Sequence, residues 1–165
     1  MVVLVTGASG QLGQAIQFIA KNHSEIKFVF CSSSDLDISN KENCQTVFQN
    51  TKPDFCINAA AYTAVDKAES ERNKAELINV LGSKNIAEAC DNFDVKLIHI
   101  STDFVFDGEK GNYKEEDEPN PLSVYARSKV DAERFLLNDT YLNYSIVRTI
   151  IVFGVANNLT RTNIV

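Results

Sequence analysis

What this chain lacks narrows its chemistry before any motif is read. It has no excess of basic residues: 16 Lys and Arg against 22 Asp and Glu leave a formal charge of -6. That balance disfavours a nucleic-acid partner, which calls for a basic face. A helix terminus or a local patch can still hold a small anion. No apolar run approaches the roughly 20 residues of a membrane-spanning helix. No basic stretch precedes an apolar one at the N-terminus, so residues 2–5 read as a strand and not as a signal peptide. Cys31, Cys44, Cys56 and Cys90 form no Cys-x-x-Cys pair, which argues against zinc or redox chemistry and for reduced, buried thiols in a cytoplasmic protein. His23 and His99 stand at no ligand spacing from cysteine or carboxylate, so no metal is expected. Repeats, low-complexity tracts and linkers are missing too. A length of 165 residues, 44% apolar and 23% charged, suits one globular domain over 1–165.

What is present is an alternation. Short apolar runs at 2–5, 28–31, 55–58, 95–101 and 145–148 are separated by stretches with helical spacing at 11–21, 41–49, 69–92 and from Pro121 onward through Tyr125, Lys129, Ala132 and Phe135. Continuous apolar strands between helices imply an α/β fold: a doubly wound parallel sheet of Rossmann type, covered on both faces. Residues 107–121, rich in charge, Gly and Pro, read as a surface loop of functional length. The acidic run 115–118 within it reads as solvated. Ligands of such sheets bind beyond the carboxyl ends of the strands.

The first strand ends in Thr6-Gly7-Ala8-Ser9-Gly10-Gln11-Leu12-Gly13. Glycine there opens backbone angles closed to other residues and lets the chain approach a pyrophosphate. The following helix adds N–H groups and a partial positive charge. Gly13 would let that helix pack close to the sheet. The spacing is G-x-x-G-x-x-G, and its strand-before, helix-after context points to a dinucleotide; a ligand-free tight turn is the alternative. After the second strand, Cys31-Ser32-Ser33-Ser34 stands where NAD sites place an acid for the ribose hydroxyls. A hydroxyl at Ser32 would accept a 2′-phosphate that a carboxylate would repel. NADPH is therefore the expected cofactor, with NADH as the alternative. Asp37 and Ile38 lie where they would flank the adenine.

Tyr125 and Lys129 are four apart, so on a helix they share a face. A free tyrosine has a pKa of about 10; a nearby ammonium favours the phenolate, and a three-unit fall needs about 4 kcal/mol of differential stabilisation. In reduction, Tyr125 would give its proton to the developing alkoxide and Lys129 would stabilise the phenolate. Thr102, closing the fourth strand, would hydrogen-bond the substrate oxygen. Each feature alone has an ordinary structural explanation. Their order along one chain argues for carbonyl–alcohol chemistry.

These motifs resemble the extended short-chain dehydrogenase/reductases and, within them, the dTDP-4-dehydrorhamnose reductase family. The glycine turn, Asp35-Leu36-Asp37-Ile38, Pro53-Asp54 and the stretch from Asn58 to Glu69 (NAAAYTAVDKAE) carry the likeness. Ser101-Thr102-Asp103-Phe104-Val105-Phe106-Asp107-Gly108, Pro121-Leu122-Ser123-Val124-Tyr125 and Arg148-Thr149 complete it. The resemblance implies cofactor contacts at Gly10, Gln11, Leu12, Asp37, Ile38, Ala61, Tyr62, Thr63, Tyr125 and Lys129, to which the glycine turn and the strand end read above add Gly7, Gly13 and Ser32. It implies catalysis by Thr102, Tyr125 and Lys129, and a sugar facing Thr102 and Asp103. The implied reaction is NAD(P)H-dependent reduction of dTDP-4-dehydro-L-rhamnose to dTDP-L-rhamnose in the cytoplasm. The implied partner is a nucleotide-sugar substrate, and a homodimer is compatible with the family. Three departures stand out. Ile151 occupies the position of a family tryptophan. Ser32 replaces an acid. The chain stops at Val165, where family members continue into a substrate-binding region, so a truncated substrate domain is expected. Two rival readings remain at this point: another nucleotide-sugar epimerase or dehydratase, and a non-catalytic NADP-binding relative like the regulatory subunit of methionine adenosyltransferase.

Overall fold

Five short strands account for the apolar runs. In the computed structural model, which describes residues 1–138 and 143–152, they are β1 (Val2–Thr6), β2 (Lys27–Cys31), β3 (Phe55–Asn58), β4 (Lys96–Thr102) and β5 (Tyr144–Thr149). All pair in parallel in the order β2-β1-β3-β4-β5. Positions 153–165, Val165 and the end of the expected 1–165 domain among them, lie outside the described residues.

The helices are α1 (Gln11–Ala20), α2 (Lys41–Thr51), α3 (Val65–Ala68), α4 (Arg72–Ala75), α5 (Gly82–Asn92) and α6 (Val124–Asn138). Right-handed crossovers put α1, which leads outward from β1 to β2, on one face. The same rule puts α2, α5 and α6, which lead the other way, on the opposite face. There, Leu4, Phe48, Ile86, Leu97 and Leu136 form one buried cluster that also takes in all four cysteine thiols. Burial pushes the Cys44 thiol up to about 12, so it is inert at neutral pH.

Local signals set the helix ends. The Asn40 side chain accepts from Asn43 N–H at 3.0 Å and caps α2. Lys52, left-handed at φ 46°, closes it ahead of Pro53.

Two expectations are corrected. The 69–92 stretch is not one regular helix. Glu69 to Glu71 lie outside it, and between α4 and α5 residues Glu76–Leu81 wind as a π-helix. That wider turn rotates the apolar stripe: Asn79 is buried, while Leu77 and Leu81 are 45% and 42% exposed. The sheet is also not covered throughout. Among the described residues α1 serves the second face, and Val147 on β5 is exposed.

Candidate active site

The strand order reverses direction at β1, whose neighbours are β2 and β3, and a crevice opens beyond their carboxyl ends. The crevice floor is the meeting of two loops. Gly7 has φ +65°, and a Cβ on it would lie 2.7 Å from the Ala59 carbonyl oxygen and from Ala60 N. Gly13 would collide with the Gly7 carbonyl and with Ala8 Cα, so its lack of a side chain lets α1 fold back onto the turn. Gly10 is the N-cap of α1 and offers no capping side chain; Gln11, Leu12 and Gly13 follow as its first turn. A bare cradle ending in a helix N-terminus fits a diphosphate in both shape and charge. Thr6 Oγ1 donates to Asn58 Oδ1 at 2.7 Å and accepts from Ala60 N at 3.1 Å, which ties the two loops together.

The end of β2 differs from expectation. The Ser32 hydroxyl donates to Asp35 Oδ2 at 2.6 Å, and Ser32 N–H donates to the same oxygen at 2.9 Å. Those two bonds hold the Asp35 carboxyl below its usual range. An anion therefore stands where only hydroxyls were expected, which weakens the argument for a 2′-phosphate at Ser32. Asp37 Oδ1 accepts from Ser39 N–H and Oγ, a local turn beside the crevice. Ile38 is buried in the core, with its side chain against Gly82.

On the opposite wall, Ala61, Tyr62 and Thr63 follow β3. The ring of Tyr62 packs with Ala64, Ala68, Ala75 and Tyr125, and its hydroxyl donates to Glu71 at 2.8 Å. Asn79, which sequence reasoning missed, locks this loop. Its Oδ1 accepts from Tyr62 N–H at 2.8 Å. Its Nδ2 donates to Tyr62 O at 3.1 Å and to Ser128 Oγ at 2.9 Å. Ser128 Oγ in turn donates to Tyr125 O. One buried amide thus joins the loop after β3 to the helix carrying Tyr125 and Lys129. The signal was available: Asn79 is a polar residue within an apolar stripe, and π-turns recur at functional sites.

Tyr125 and Lys129 are both buried on α6, whose first amide, Val124 N–H, is held by Glu69 Oε1 at 2.9 Å. Thr102 and Asp103 arrive at the end of β4. Thr102 Oγ1 donates to Asp103 Oδ1 and accepts from Phe104 N–H, each at 3.2 Å. Burial pushes the Tyr125 phenol up, a hydrogen bond with Thr102 opposes the rise, and the Asp103 carboxylate adds to it. The expected lowering by Lys129 is not among these influences; Lys129 Nζ instead donates to the Ile100 carbonyl at 2.7 Å. Lys129 itself, out of reach of water, falls to about 8 by burial, with Glu133 countering. A phenol that keeps its proton suits an acid better than a base.

Behind Lys129, Glu133 is 1% exposed and accepts from Ser101 Oγ and, through both oxygens, from Arg148, whose shortest contact with it is 2.7 Å. Arg148 also lies 5.1 Å over Phe106, which stacks on Tyr113 at 4.2 Å. Tyr113 and Asn120 both donate to Asp107, whose carboxyl falls to about 2 under those bonds. The 107–121 loop is thereby fastened to β5. A cavity of about 440 Å³ opens between this loop, Asp103, Phe104, Val65 and Leu122.

The sequence matches the family model described as RmlD substrate binding domain over residues 1–164. The chain belongs to the RmlD substrate binding domain family. A dTDP-4-dehydrorhamnose reductase of Aggregatibacter actinomycetemcomitans is 41% identical over 162 residues, which are 97% of this chain and 55% of that protein. The crystal structure of a dTDP-4-dehydrorhamnose reductase from Clostridium acetobutylicum superposes with TM-score 0.89 at 41% identity, covering 96% of this chain and 56% of that one. One from Bacillus anthracis, in complex with NADP, has TM-score 0.85 at 40% identity, covering 90% and 53%. The chain thus spans about half the length of the RmlD-family relatives it matches. No helix among the described residues is long and apolar enough to cross a membrane.

Proposed function

We propose that this chain is the dinucleotide-binding and proton-donating part of an NAD(P)H-dependent nucleotide-sugar 4-keto reductase, acting on dTDP-4-dehydro-L-rhamnose to give dTDP-L-rhamnose. The observation that supports the reading is a Cβ-free cradle at Gly7–Gly10 linked by hydrogen bonds, through Thr6–Ala60 and then Asn79, to the helix that carries Tyr125 and Lys129.

The residues present fit a nicotinamide dinucleotide. Gly10, Gln11, Leu12 and Gly13 would hold its diphosphate. Ser32, Asp37 and Ile38 would meet its adenosine end, the last through its main chain. Ala61, Tyr62 and Thr63, with Lys129, would border its nicotinamide half. Bound there, the reduced dinucleotide supplies hydride. Tyr125 gives its proton to the carbonyl oxygen as charge develops on it, and the Thr102 hydroxyl steadies that oxygen by a hydrogen bond. Lys129 stabilises the phenolate left on Tyr125. Asp103, on the cavity wall, would accept from a sugar hydroxyl.

NADPH and NADH are both proposed as cofactors; the Bacillus anthracis relative was crystallised with NADP. A cytoplasmic site of action fits the chemistry. A homodimer is proposed through the face on which Leu77 and Leu81 are exposed, one helical turn apart. The reductase reading is tested by incubating the protein with NADPH and dTDP-4-dehydrorhamnose and identifying the product sugar by chromatography. Formation of dTDP-rhamnose is expected. Tight dinucleotide binding without consumption would favour the non-catalytic alternative.

A further inference from the structure

His99 is fully buried in the middle of β4, and the mechanism above gives it no task. Its two ring nitrogens face different partners. Nδ1 lies 3.3 Å from Asn58 Nδ2, and Nε2 lies 3.5 Å from Lys129 Nζ. The direction of this chain can be worked out from its far end. Ala60 N–H donates to Thr6 Oγ1, so the Thr6 hydroxyl has its own hydrogen to give. It gives it to the Asn58 amide oxygen at 2.7 Å. The Asn58 amide nitrogen must then face His99 and donate to Nδ1. A neutral imidazole with Nδ1 as acceptor carries its hydrogen on Nε2. That N–H points at Lys129. An ammonium there would set donor against donor, whereas a neutral amine would offer its lone pair and still donate to the Ile100 carbonyl.

We propose that His99 is a positioning residue for Lys129: through the Thr6–Asn58–His99 chain it fixes the place of the lysine nitrogen and resists its protonation in the free protein. The phosphate-turn strand and the proton-handling lysine are thereby joined by hydrogen bonds running across three adjacent strands, β1, β3 and β4. Among the described residues, the other groups that bear on Lys129 are Glu133 and Tyr125 from its own helix. Arg148 from β5 is tied to Glu133, and Asp103 lies on the Tyr125 side. Glu133 favours the ammonium, so His99 and Glu133 pull Lys129 in opposite directions. Burial holds His99 itself neutral, and the charge of Lys129 would add to that effect.

The role of Lys129 beside Tyr125 rests on the proposed reductase function, but the test does not. In wild-type protein without ligand above about pH 8, where Lys129 is mostly the neutral amine, imidazole ¹⁵N NMR should show His99 uncharged as the Nε2–H tautomer. The Nδ1–H tautomer, or an imidazolium in that range, would overturn the proposal. A second measurement follows Lys129 by ¹³Cε and ¹⁵Nζ shifts in His99→Gln, whose amide oxygen can turn toward the ammonium. Its proton affinity should rise at least about tenfold, one pH unit; an unmoved midpoint would refute the role assigned to His99. If the midpoint moves while the alkaline limb of kcat does not, His99 keeps its role and the catalytic assignment of Lys129 falls.

Discussion

Removing the Glu133 carboxylate should destabilise this domain more than any surface substitution. The side chain is buried and takes the Ser101 hydroxyl and a two-oxygen contact from Arg148. Breaking a buried pair by deleting one partner costs about 3–5 kcal/mol. Arg148 is 19% exposed and keeps its contacts to Phe106 and the Glu115 carbonyl, which moves the expectation to the lower part of that range. The stranded Ser101 hydroxyl adds about 1 kcal/mol. Glu133→Met should therefore lose about 3–4 kcal/mol in urea unfolding, with the slope unchanged. Arg148→Met alone leaves the buried carboxylate with only Lys129 as a nearby counter-charge and should lose a similar amount. The double variant, with both charges replaced by packed apolar chains, should be markedly more stable than the sum of the singles predicts. Strict additivity, or a loss under about 1 kcal/mol for Glu133→Met, would mean that the ion pair is not the clamp between α6 and β5.

Asn79→Ala should cost about 2–4 kcal/mol, because it strands the Tyr62 amide and Ser128 in a buried place, and should raise the KM for dinucleotide; calorimetry and initial rates check both. Asp35→Asn should shift the NADPH/NADH preference toward NADPH by about tenfold, since one negative charge is withdrawn from the end of β2; fluorescence titration with each cofactor reads it. Lys129 is fully buried and its folded pKa, about 8, lies below its ordinary 10.5. Between those values the unfolded chain binds the extra proton, so stability should rise with pH from about 8 to about 10.5 and level off above. Lys129→Met should abolish that rise and be no less stable than wild type at pH 7, even as turnover is lost.

Much of the architecture was legible because its causes are local. Residues 55–58 form a buried strand at the expected positions, and Asn40 with Pro53 brackets α2. Gly7 announced its own positive φ by standing between a strand and a helix. What stayed hidden depends on contacts distant in sequence. The π-turn at Glu76–Leu81 accompanies Asn79 reaching Tyr62 and Ser128, 17 and 49 residues away, which no periodicity records. Asp35 was in plain view, but its bond to Ser32 depends on the turn after β2. The spacing of Tyr125 and Lys129 placed them on one helix face. It did not show that the Ile100 carbonyl would hold the lysine nitrogen.

The central claim is that the Tyr125 phenol delivers the proton to a nucleotide-sugar carbonyl. It is tested most directly by NADPH consumption with dTDP-4-dehydrorhamnose in wild type and Tyr125→Phe, at matched saturation with dinucleotide. Loss of a positioned general acid predicts a fall of at least about 10²-fold in kcat, with dinucleotide affinity within about threefold of wild type. Equal turnover by the two proteins would contradict the account.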